Sequence, residues 1–175
     1  MGKGERKYLH YTAFGIVLFV AFILQYSFPM IKIFGISPLP VIPVFVCAAM
    51  IDGDLAGSMF GLFAGILCDT NSAYGACYHA ILYLITGLVC GLLITHLMQN
   101  NLISAIVLNF GAITFNLLFN WMVSVVFIGR GNPFPMLVTD LLPMLAYTMV
   151  LSIPIYLLMN YGMSKRKKQY KRIRT

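Results

Sequence analysis

Between Lys7 and Lys165 the chain carries only two basic residues, Lys32 and Arg130, and its acidic residues there are Asp52, Asp54, Asp69 and Asp140. A soluble domain carries roughly 25% charged residues. This chain carries 10%, with 60% hydrophobic residues and a mean hydropathy of +0.87. So long an interval with so few charges has no soluble surface to offer. It reads as an all-α polytopic membrane protein, and its 175 residues leave no length for a separate soluble domain.

Six apolar segments are expected, at about 11–30, 38–51, 55–68, 76–97, 102–128 and 136–159, within one membrane domain that covers residues 1–175. The first run is longer than the apolar stretch of a signal peptide and no A-x-A site follows it, so it reads as an uncleaved span. Pro40 and Pro43 fall at the start of the second segment, where proline is best tolerated. The second and third segments are short and are joined by Asp52-Gly53-Asp54, a strong turn signal. Either both helices extend into their polar flanks or the hairpin is partly re-entrant; six complete crossings is the preferred count. Pro143 and Pro154 are expected to kink the sixth span or force local adjustments in it.

The net charge of +7 does not point to nucleic acid, because the positive charge sits at the two ends. Lys3, Arg6 and Lys7 open the chain, and Lys165, Arg166, Lys167, Lys168, Lys171, Arg172 and Arg174 form a basic tail in residues 160–175. Positive-inside bias then places both termini in the cytoplasm, with Lys32 and Arg130 outside. The tail reads as a topology signal and a contact for anionic lipid headgroups.

Within this frame one motif stands out. Gly57, Gly61, Gly65 and Asp69 recur every four residues, which puts a bare stripe along one helix face and a carboxylate at its end. Gly75 closes the polar run that Asp69 opens, and Gly87, Gly91 and Thr95 form a second small-residue row in the next span. Small residues at this spacing allow close approach of another helix. The stripe either packs within the chain, with spans three and four a natural tight pair, or receives a partner's helix. Leucine at Gly61 and Gly65 is expected to exclude that neighbour, and alanine to be milder. Asp69 reads as a helix stop or as a specific polar contact.

Asn109, Asn116 and Asn120 lie within about 40° of one another on the fifth span. Amides on one face hydrogen-bond across helices or line a ligand cavity. His79 follows Asp69 by ten residues, and an Asp/His pair can do acid–base work, although a solvated boundary histidine is the plainer reading. No HExxH, GxSxG or GxxxxGK[ST] occurs, and Cys47, Cys68, Cys77 and Cys90 form no CxxC pair or metal spacing. No enzyme, metal or cofactor is called for.

Six short spans, basic ends, the Gly61-x3-Gly65-x3-Asp69 run, Gly75, and an apolar span with Gly87 and Gly91 together resemble the rod shape-determining membrane protein family MreD. Leu142-Pro143 and Ile153-Pro154-Ile155-Tyr156 are similar to that family's last span. The resemblance implies a non-enzymatic subunit of the bacterial lateral wall-elongation machinery in the cytoplasmic membrane. Its implied partners are MreC, a single-span protein, together with the MreB cytoskeleton and the glycosyltransferase RodA with its transpeptidase. It also implies a fold similar to the six-helix substrate-binding subunits of energy-coupling-factor vitamin transporters. The alternative function is therefore substrate capture for small-molecule uptake.

Overall fold

Every residue from Val41 to Met50 is buried. A helix with no polar residue on any face suits either the middle of a bundle or lipid, and this one is in the middle, touching each of the other five helices. The computed structural model describes residues 3–27, 38–71, 77–98, 101–128 and 141–172. Six helices lie among them: α1 (Lys3–Ser27), α2 (Val41–Asp52), α3 (Asp54–Asp69), α4 (Tyr78–His96), α5 (Leu102–Ile128) and α6 (Leu142–Arg172).

The buried helix is α2. Pro43 lies in its first turn, where the backbone N–H has no helical acceptor to lose. Its entry is tied to α6, since the Leu39 N–H donates to Thr148 Oγ1 at 3.2 Å and that hydroxyl donates to the Met144 carbonyl at 2.7 Å. At 12 residues, about 18 Å, α2 is shorter than a full hydrocarbon core. Other helices cover it instead of lipid.

Gly53 alone separates α2 from α3. Its φ of +91° and ψ of −167° suit only glycine. Its N–H closes α2 on the Ala49 carbonyl at 2.9 Å, and its own carbonyl accepts the Gly57 N–H at 3.0 Å.

Three helical stretches are long and apolar enough to cross a membrane: Tyr78–His96, Leu102–Val125 and Leu142–Tyr161. Tyr11–Tyr26 and Val41–Asp52 are shorter apolar helices. Outward-facing side chains include Ile16, Phe19, Met59, Ile81, Ile103 and Leu158, an apolar exterior that suits lipid and not water. The chain is a multi-pass membrane protein.

The last helix extends into the basic tail: α6 runs without a break to Arg172, since Lys, Arg and Gln are good helix formers and no proline stops them. Pro143 sits in the first turn of α6 and demands no kink, while Pro154 lies inside the continuous helix. The expectations for Lys32, Gly75, Arg130, Asp140 and Arg174 lie outside the described residues.

Candidate functional site

The glycine stripe of α3 faces α4, which runs antiparallel against it. Gly57 lies against the Gly87 carbonyl, Gly61 against the Tyr83 carbonyl, and Gly65 against the backbone of His79 and Ala80. From the α4 side, Gly87 meets the Gly57 carbonyl and Gly91 meets the backbone of Asp54. A Cβ at any of these five positions would come within 3.0 Å of the opposing backbone. Carbonyl oxygens thus rest against Gly57, Gly61, Gly65 and Gly87, an approach that allows Cα–H···O contacts. The surface that the sequence offers to a partner's helix is filled by the chain's own α4. Even the single methyl group of alanine meets backbone that cannot rotate away.

The seam ends in a clasp. Asp69 Oδ1 accepts the His79 backbone N–H at 2.9 Å and His79 Nδ1–H at 2.9 Å, and Asp69 Oδ2 accepts the Ala80 N–H at 3.1 Å. An ionised carboxylate only accepts, so the shared proton is on Nδ1. Both backbone donors belong to the first turn of α4, whose N-cap residue Cys77 has φ +73° and makes no side-chain cap. Asp69 does that capping from the end of the preceding helix, and its charge suits the positive N-terminal end of α4.

Burial raises the pKa of this carboxyl. The His79 and Ala80 N–H groups and the His79 ring outweigh that effect, and the net direction is downward from the ordinary 3.8. His79 is therefore not a solvated boundary residue: its side chain is 13% exposed and that of Asp69 8%. Tyr78 stands edge-on to His79 and stacks on Phe119 of α5. Three donors already occupy Asp69. Together they clasp the end of α3 to the first turn of α4.

The three asparagines of α5 share one habit. Nδ2 of Asn109, Asn116 and Asn120 donates to the carbonyl four residues back, at 2.8, 2.7 and 2.9 Å. Asn116 Nδ2 also donates across to Thr86 Oγ1 of α4 at 3.2 Å. A carbonyl neighbour requires the amide's NH2 side, so Oδ1 must point away. Oδ1 of Asn109 and Oδ1 of Asn116 are buried with no hydrogen-bond partner. The shared face is thus anchored to its own helix, with one bridge to α4.

Thr86 and Thr148 escape a reading by motif. Thr86 precedes Gly87 on the α4 seam and was legible only as another small residue, and Thr148 has no local signal at all. Cys47, Cys68 and Cys90 are buried and Cys77 is exposed, all as free thiols. Among the described residues no group of three His, Cys, Asp or Glu side chains could hold a metal ion. Lys165, Arg166, Lys167, Lys168, Lys171 and Arg172 follow one another along the end of α6. No protein-family model, curated protein or solved structure matches the chain.

Proposed function

We propose that this chain is a non-enzymatic membrane scaffold of the MreD kind, a subunit of a bacterial lateral wall-elongation complex. Its six helices cross the cytoplasmic membrane with both termini inside. It acts with an MreC-like single-span protein and, through it, with the wall-building glycosyltransferase and transpeptidase and the MreB cytoskeleton. The observation that carries this reading is the use to which the polar groups of the bundle are put. Asp69, His79, Thr86, Asn116 and Thr148 tie helices or helix ends to one another, and the outer surface they support is apolar. A rigid apolar surface in the membrane is what a helix-binding scaffold requires. The basic end of α6 is suited to anionic lipid or an acidic cytoplasmic partner.

One observation favours a second reading, substrate capture for uptake in the manner of the energy-coupling-factor subunits. The buried Oδ1 atoms of Asn109 and Asn116 could accept from a ligand's N–H or O–H groups.

A pull-down of the tagged full chain in nanodiscs, with mass spectrometry of proteins and small molecules together, separates the two. Recovery of a single-span shape protein and wall-synthesis enzymes supports the scaffold. Recovery of nucleotide-binding subunits with a stoichiometric metabolite overturns it in favour of capture.

A further inference from the structure

The two flanks of the bundle have very different apolar heights. α3 begins at Asp54 and ends at Asp69 with no charge between them. At 1.5 Å per residue their Cα atoms are about 22 Å apart. Between them Leu55, Met59, Phe63 and Ile66 face outward at 73%, 70%, 45% and 49% exposure, so α3 is outer wall here. On the other flank α5 carries no charged residue in 27, about 40 Å. It faces outward with Ile103, Val107, Phe110, Phe115, Leu118 and Met122.

A hydrocarbon core is about 30 Å thick, and exposed polar groups within it are costly; Asp52 before α3 and Thr70 and Asn71 after it are exposed. The apolar wall of α3 is therefore short by about 8 Å. Tilting the whole bundle lowers the height of α5 and relieves its excess, but it lowers α3 too. Aspartate is also too short to reach the interface by snorkelling, as lysine or arginine can. What remains is the lipid itself.

We propose that the bilayer is pinched along α3 and keeps ordinary thickness along α5, which makes the α3 flank a contact surface for short or compressed acyl chains. This rests on α3 crossing the membrane and is independent of the wall-synthesis assignment.

The test uses the full chain in phosphatidylcholine bilayers with acyl chains from roughly 14 to 22 carbons. Trp121 is the only tryptophan. A Trp121→Phe chain with Met59→Trp reports on α3, and one with Phe115→Trp reports on α5; both positions face outward, and circular dichroism checks that helix content is unchanged. Quenching by brominated lipid of each length gives the relative binding at each site. The α3 site is expected to prefer the shortest over the 18-carbon lipid by roughly twofold or more, with no such preference at α5. Equal preferences at both sites, or no quenching at Met59→Trp in any lipid, overturn the proposal. An impermeant thiol label on Asp52→Cys and Thr70→Cys, in a Cys77→Ser chain, tests the crossing separately. Labelling from opposite sides with equal lipid preferences sinks the pinch alone, and labelling from the same side sinks the crossing as well.

Discussion

The α3–α4 seam and the α5–α6 side of the bundle are both apolar helix packing, yet they tolerate error differently. At the seam, backbone meets backbone, and the fit depends on atoms that are missing from five glycines. On the α5–α6 side, contact is made by side chains that can choose other rotamers. Only 22% of the apolar stretch of α6 is buried, against 44% for α4 and for α5. Gly111 of α5 lies exposed on the outer face, with nothing within 4 Å of where a Cβ would stand. Close packing of main chain gives rigidity and leaves no slack, whereas packing through side chains leaves slack and a larger share of surface for lipid or partners.

The largest effect that would test this contrast is at the seam. Gly61→Ala and Gly65→Ala are each expected to destabilise by about 1–3 kcal/mol through overpacking, and leucine at either by more. Thermal unfolding in mild detergent reads the loss. Gly111→Ala, the matched change on the open side, should be neutral or stabilising by up to about 1 kcal/mol, because alanine is the better helix former. A similar loss at Gly111 would erase the distinction between the two regions.

Next comes the clasp. Asp69→Asn keeps one acceptor oxygen but turns an NH2 group toward backbone donors, and it should cost about 1–2 kcal/mol, less than the glycine changes. The pH dependence has a definite sign. A carboxyl held below its ordinary value stabilises the fold fully above pH 3.8, and that contribution is lost as pH falls below it. An acid titration of unfolding should therefore show an acid-side loss in the native chain that is absent in Asp69→Asn. Equal acid sensitivity in both would remove Asp69 from the account.

The smallest effect is expected across α4 and α5. A double-mutant cycle of Asn116→Ala and Thr86→Val should give a coupling near 0.6 kcal/mol, the ordinary value for an interhelical hydrogen bond in a membrane. Thr86 keeps its bond to the Leu82 carbonyl at 2.7 Å when Asn116 is gone, so a coupling several times larger would mean that a further group shares this contact.

How much of this was legible in the sequence follows from how local each signal is. The four-residue glycine spacing marks a helix face that must meet something closely, and the unbroken apolar run 41–51 marks a helix with no solvated side. Both are periodic within a single helix. What the glycines meet is not encoded in their own spacing: Gly57 and Gly87 are thirty residues apart, and only folding pairs them. Asp69 was legible as a helix end, but its task of capping α4 was hidden by the loop between them. The bond from Leu39 to Thr148 spans 109 residues and leaves no trace in either neighbourhood. The asparagine row was legible as a face, whereas its donors turn inward to its own helix, an outcome that depends on side-chain rotamers.

The burial of α2 also bears on the order in which the protein is made. A helix of 12 residues is too short to be held by lipid as it leaves the ribosome, and its surroundings come from helices on both sides of it in the chain. Its entrance is fastened only when Thr148 arrives, late in synthesis. The hub of the finished bundle is thus among the first segments to be translated, while the fastening of its entrance waits for α6.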